Sequence, residues 1–251
     1  MLRQTAFSTP RNIERRNDGS PNYGYRDEQR TREIYMSASP SIDPHQPYFF
    51  FDFNSPFSYL LLEQHDKWPN MPFEVLPVDY LKLLKHWGQP MPGNIPSKRV
   101  FMYRYALFRA EQLGIPFKMP PSHPFDSSKA LRLAVAAGGE IGCIREIFRF
   151  IWKEGRDPSS EQGFDDLCQH VGLPDGATMI ESEDVKATLR ANVERAVELG
   201  VFGVPTFVVN EQLFWGEDTL PMVLYVARSP NWLEGKEVQR ISALPRTAPE
   251  M

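Results

Sequence analysis

Cysteine is nearly absent: Cys143 and Cys168 are the only two, and neither belongs to a C-x-x-C pair or sits near spaced histidines. That argues against a disulfide framework and a structural zinc site, so no metal is expected, and it favours a reducing compartment. Two buried helical thiols are the ordinary reading of such residues. Long apolar runs are missing too. The longest, Tyr48-Phe49-Phe50-Phe51, falls far short of the about 20 residues needed to cross a bilayer, so no membrane partner is expected. Positive charge is not in excess, with a formal net charge of -4, and a nucleic-acid partner is not expected either. No apolar h-region follows the N-terminus, which speaks against a secretory signal. Arg3, Ser8, Thr9, Arg11, Arg15 and Arg16 faintly resemble an organelle transit peptide, but Glu14 and Asp18 interrupt the pattern. The expected compartment is the cytoplasm, with the mitochondrion as the alternative.

What is present suffices for a full core: 251 residues, 41% of them hydrophobic, fill one large domain or two intimately joined ones. Residues 1–46 are rich in Arg, Asn, Ser, Pro and Gln and show neither a helical nor a strand period. They read as a disordered extension whose ordering entropy no burial offsets. The expected organisation is a discontinuous α/β domain over 47–96 and 200–232, a helical insertion over 97–199, and a C-terminal tail over 233–251.

The folded body opens with Pro47 to Phe53, an aromatic run suited to a strand covered on both faces. Asn54-Ser55-Pro56 then supplies a turn with two candidate caps and a proline at the first helical position. A helix is expected over 57–66 and a second strand over 73–78. Further helices are expected over 98–113, 127–137, 141–153, 161–171 and 184–199, with glycines near their C-termini. Ile141, Ile144, Ile147, Phe148, Ile151 and Trp152 recur at threes and fours, so that helix should pack deep. Strands at 206–209 and 212–215 around an Asn210-Glu211 turn, then a helix over 219–227, close the chain. A βαβ half and a ββα half flanking helices make the thioredoxin plan.

In that plan thiol-disulfide enzymes place C-x-x-C at the turn after the opening strand. Here the turn reads Ser55-Pro56-Phe57-Ser58, which cannot form a disulfide. The helix start still offers free backbone N–H groups and a partial positive charge, both suited to a thiolate brought by another molecule. The Ser55 hydroxyl can donate a hydrogen bond to such a sulfur and lower its pKa. It can equally be a plain N-cap. Val204-Pro205, just before the returning strand, stands where thioredoxin-like proteins carry a cis-proline facing the reactive corner; a trans proline opening a strand is the other reading.

Four phrases in order carry a resemblance: Phe51-Asp52-Phe53-Asn54-Ser55-Pro56-Phe57-Ser58-Tyr59-Leu60, Trp152-Lys153-Glu154-Gly155-Arg156-Asp157, Gly200-Val201-Phe202-Gly203-Val204-Pro205-Thr206-Phe207 and Leu213-Phe214-Trp215-Gly216-Glu217-Asp218. Over about residues 47–230 the chain resembles the 2-hydroxychromene-2-carboxylate isomerase family, close to kappa-class glutathione transferases and DsbA-type oxidoreductases. The resemblance implies a thioredoxin-like fold with a large helical insertion and glutathione as cofactor. It implies that Ser55 touches the glutathione sulfur and that the backbone at Val204, before Pro205, holds the cysteinyl part. It further implies that Glu217, Asp218 and Thr219, opening the last helix, bind the γ-glutamyl end. Helix capping explains Glu217 and Asp218 equally well. Gln89 falls where the family has asparagine and Lys98 matches its substrate lysine, while Thr219 falls where an arginine is common. Phe53, Phe57, Tyr59, Phe101, Trp152 and Trp215 are candidate aromatic walls or simple core.

The function so implied is a glutathione-dependent isomerase acting on a small aromatic-derived unsaturated acid by reversible thiolate addition. A kappa-like transferase that conjugates electrophiles and a non-catalytic glutathione-binding protein are the alternatives. A homodimer is implied by the family alone.

Overall fold

The computed structural model describes residues 46–245. The expected N-terminal extension except Gln46, with its transit-like arginines, and the last residues of the C-terminal tail lie outside that range. Strand β1 (Tyr48–Phe51) leads into helix α1 (Pro56–Leu62), then strand β2 (Glu74–Pro77) and helix α2 (Tyr80–His86). Helices α3 (Pro96–Leu113), α4 (Ser128–Ala136), α5 (Ile141–Trp152), α6 (Glu161–His170), α7 (Gly176–Met179) and α8 (Glu183–Glu198) follow. Strands β3 (Thr206–Val209) and β4 (Gln212–Trp215) and helices α9 (Leu220–Arg228) and α10 (Lys236–Ser242) complete the described chain. The sequence reading lacks α2, a short helix that begins at Asp79, whose side chain accepts from the Lys82 N–H. Helices α7 and α10 are not expected either, being four and seven residues long with no long apolar period.

The sheet order is β2-β1-β3-β4, with β1 parallel to β2 and antiparallel to β3. Successive β1 side chains point to opposite faces, and the two faces meet different helices. Phe49 and Phe51 join the cluster that holds Ile144, Ile147, Phe148 and Trp152 of α5. Tyr48 and Phe50 join Val193 and Ala196 of α8 on the other face. Every β1 residue is buried, which is why this strand is aromatic throughout instead of alternating. Phe51 lies 5.4 Å from Phe148 between ring centroids, so the helical stretch and the sheet share one core. Asn210 and Glu211 both have positive φ, as a two-residue turn of a twisted hairpin requires. No helix among the described residues is long and apolar enough to cross a membrane.

Strand direction fixes where the reactive parts meet. The C-terminal ends of β1, β2 and β4 and the N-terminal start of β3 all lie at one end of the sheet. Ser55, Asp79, Gly216 and Pro205 therefore follow or precede those ends within a few residues.

Candidate functional site

Ser55 is the N-cap of α1, with extended backbone, and its Oγ accepts the Ser58 N–H at 3.1 Å. Its own N–H donates to the Asp52 carbonyl at 3.0 Å, which bends the chain sharply out of β1. Only 8% of Ser55 is exposed. Ser58, one turn on, is fully buried and its hydroxyl has no hydrogen-bond partner among the described residues. The corner thus holds two serines with different surroundings, one capping a helix and one stranded in the core.

Asn54 anchors this corner to the loop before α4. Its Nδ2 donates to the Phe125 carbonyl (2.7 Å) and to Ser127 Oγ (3.1 Å), while its Oδ1 accepts the Phe125 N–H (3.0 Å). The Asn54 carbonyl lies 2.7 Å from His123 Nε2. A carbonyl only accepts, so that nitrogen carries the proton. The Tyr103 hydroxyl, on α3, lies 2.9 Å from the other ring nitrogen. Burial lowers the His123 pKa, which favours the neutral ring. Beneath the corner the buried Asp52 carboxylate accepts the N–H groups of Asn54 (2.8 Å) and Tyr80 (2.9 Å). Burial raises its pKa to about 6, against the partial relief given by those bonds and by Ser127.

The Val204-Pro205 peptide bond is cis. In the antiparallel register Thr206 pairs with Phe50, so Pro205 stands beside the end of β1 and the start of the Ser55 turn. The loop is braced from both sides. Thr206 Oγ1 donates to the Gly203 carbonyl (2.7 Å) and the Gly216 N–H to the Pro205 carbonyl (2.9 Å). The Trp215 indole covers Gly203 so closely that an added Cβ would lie 2.6 Å from its nitrogen.

Glu217, Asp218 and Thr219 form a 3-10 turn before α9. Their side chains divide. Glu217 is 5% exposed, and Arg109 of α3 grips both its oxygens, Nε on Oε2 at 3.0 Å and Nη2 on Oε1 at 2.8 Å. Gln64, just after α1, adds a hydrogen bond at 3.3 Å. Asp218 is exposed, and Thr219 turns its hydroxyl back onto the Gly216 carbonyl at 2.8 Å. Arg109, Gln64, Asp52 and His123 are not among the site residues expected from sequence, although Asp52 stands in the first of the four phrases. Of these only Arg109 left a spacing signal, falling eleven residues after Lys98 on the same face of α3.

That face is unusual. Of the residues of α3 only Ala106 and Ala110 are buried, while Phe101 is 65% exposed and stacks on Tyr105 with ring planes 7° apart. Tyr105 in turn meets Phe57, two residues after Ser55, at 5.9 Å. Lys98 opens this stripe and is exposed. At 1.5 Å rise per residue it stands about 10 Å along the axis from Tyr105. Gln89 is also exposed, with its N–H closing α2 on the Leu84 carbonyl at 2.9 Å. Among the candidate aromatic walls, Phe53, Tyr59 and Trp152 are buried core, Phe57 is half-buried, and Phe101 and Trp215 are exposed.

The profile of the DSBA-like thioredoxin domain matches residues 48–226. "Glutathione s-transferase kappa 2" of Caenorhabditis elegans is 25% identical over 198 residues, covering 70% of this chain and 88% of that protein. A "2-hydroxychromene-2-carboxylate isomerase" of Sphingobium xenophagum is 29% identical over 183 residues, covering 68% and 92%. A solved 2-hydroxychromene-2-carboxylate isomerase superposes with a TM-score of 0.64 at 22% identity, over 76% of this chain and 98% of its own. The latter likeness speaks to the fold.

Proposed function

We propose that this chain, which belongs to the DSBA-like thioredoxin domain family, is a glutathione-dependent isomerase of the 2-hydroxychromene-2-carboxylate isomerase type. The observation that carries the reading is the corner itself. A thioredoxin scaffold keeps its cis-proline loop beside the turn, yet serine stands at both positions 55 and 58. The absence of a cysteine at positions 55 and 58 of such a corner supports a sulfur supplied by another molecule. Relatives named as kappa glutathione transferases and as 2-hydroxychromene-2-carboxylate isomerases support a borrowed thiol.

In this reading the cysteinyl backbone of glutathione lies along Val204 and Pro205, and its sulfur faces Ser55 Oγ. The Ser55 hydroxyl proton is free to donate, because its oxygen only accepts from the Ser58 N–H. The γ-glutamyl end reaches the Glu217–Thr219 turn, where the exposed Asp218 carboxylate meets its ammonium. The substrate's aromatic part lies on Phe57, Tyr105 and Phe101 and its carboxylate points to Lys98, with Gln89 at the rim. Bound there, glutathione would supply a thiolate for reversible addition to a conjugated carbon of the substrate: the π electron pair would pass to the conjugated carbonyl as the double bond becomes single, permitting rotation, and would return as the thiolate leaves.

A mass-resolved assay with glutathione and a panel of hydroxychromene-like acids and simple electrophiles tests this. The expected product has the mass of its substrate and leaves glutathione unconsumed. A product heavier by one glutathione on every active compound overturns isomerisation in favour of a kappa-like transferase, the reading favoured by the Caenorhabditis elegans relative. Glutathione binding without turnover of any compound overturns both.

A further inference from the structure

We infer that Arg109 is a positioning residue which, through Glu217, sets the γ-glutamyl-binding turn and the aromatic stripe of α3 in register. The inference rests on the glutathione reading above and adds to it the device that makes the site selective for glutathione over shorter thiols. Glu217 is the second residue of the turn that starts at Gly216, and its carboxylate is nine-tenths buried. A carboxylate so placed needs both oxygens satisfied. The Arg109 fork does so from α3 and Gln64 Nε2 from the turn after α1. The guanidinium itself is restrained, since its Nη1 donates to Gln112 Oε1 at 2.8 Å.

Two consequences follow from that geometry. Glu217 has no free charge for a ligand, so Asp218, its exposed neighbour, is the carboxylate left to meet an ammonium group. Arg109 belongs to the same helix as Tyr105 and holds both carboxylate oxygens of Glu217, so one guanidinium ties the turn to the stripe. Lys98, Phe101, Tyr105 and Arg109 recur at three, four and four residues along α3. Arg109 therefore pins the end of the very face that meets Phe57. Without the fork the 3-10 turn keeps the longer Gln64 bond to Glu217, its backbone bonds and the Thr219 hydroxyl, and loses both of its short side-chain bonds.

The test compares glutathione with cysteinylglycine, which has the same sulfur and lacks the γ-glutamyl group. Removing one partner strands a buried charge and weakens the fold, so the principal variant is Arg109→Met with Glu217→Gln, which removes both charges together. Arg109→Lys, which keeps the charge but not the bidentate grip, is measured beside it. Affinities are read by calorimetry and folding by thermal melting. Wild type is expected to prefer glutathione; the double variant is expected to lose about tenfold of that preference, a change of one decade. Its cysteinylglycine affinity stays within about twofold of wild type, and Arg109→Lys falls between, which a general loosening of the fold would not produce. A wild type that binds neither thiol overturns the glutathione reading and this inference with it. Undiminished preference in the folded double variant, or in Arg109→Lys should the double variant not fold, overturns the inference alone.

Discussion

Ser55 has two duties in the proposed function, and substitutions can separate them. Its Oγ accepts the Ser58 N–H at 3.1 Å, which is the N-cap bond of α1. Replacing serine by alanine at an N-cap costs about 1 kcal/mol, whereas glycine costs only a few tenths. For a domain of roughly this size 1 kcal/mol lowers the melting temperature by about 2–4 °C. Both variants equally remove the hydroxyl that donates to the sulfur. A hydrogen bond to a charged group is worth about 1.5–3 kcal/mol. Its loss slows turnover about ten- to 150-fold at fixed pH and raises the bound thiol's pKa by about one to two units.

The two variants should therefore differ in stability and agree in chemistry. Ser55→Gly melts within about 1 °C of wild type and is as slow as Ser55→Ala. Thiolate absorbance of bound glutathione, followed against pH, gives the pKa directly, and a melt gives the stability. Wild-type turnover by Ser55→Gly with an unmoved thiolate titration would refute the reasoning and leave Ser55 a cap alone.

Three further substitutions probe the surroundings of the corner. Asp52 has a folded pKa of about 6 against 3.8, so its contribution to stability is fully present below pH 3.8 and is lost as pH rises through 6. Two units correspond to about 3 kcal/mol. Asp52→Asn should therefore gain on wild type by up to that amount between pH 4 and 7 in urea unfolding, and parallel curves would count against the buried acid. Ser58→Ala deletes a buried hydroxyl that has no partner among the described residues. It should leave the urea midpoint unchanged or raise it by the equivalent of about 1 kcal/mol; a loss of stability would mean that the hydroxyl has a partner. Trp152→Phe removes the indole N–H that donates to the Phe53 carbonyl at 2.9 Å and shrinks a fully buried side chain. It should cost about 2–4 kcal/mol in urea unfolding, and a cost below about 1 kcal/mol would mean the core closes over both losses.

What could be read from the sequence and what could not divides along chain separation. The Ser55 turn is legible because cap, proline and helix follow one another within a few residues, and the Val204-Pro205 loop because it directly precedes a strand. The pairing of those two also follows, since a βαβ and a ββα half leave few sheet orders open. Asn54 is different. In sequence it is one of two candidate caps, while in the fold it grips a loop some seventy residues away, and nothing local specifies that partner. The aromatic residues show the same limit. Phe53 and Phe57 are four apart, yet one is buried in the turn after β1 and the other lies in the first turn of a helix against α3. Glu217 carries the point furthest. Read along the chain it is one of two acids at a helix start, equivalent to Asp218. Only the fold brings Arg109, more than a hundred residues earlier, onto its carboxylate. A 5% exposed carboxylate must be paired, and once paired its charge is no longer available to a ligand. In a motif of adjacent acids the burial of each side chain, which one-dimensional spacing does not encode, decides which acid holds the fold and which is left to hold the ligand.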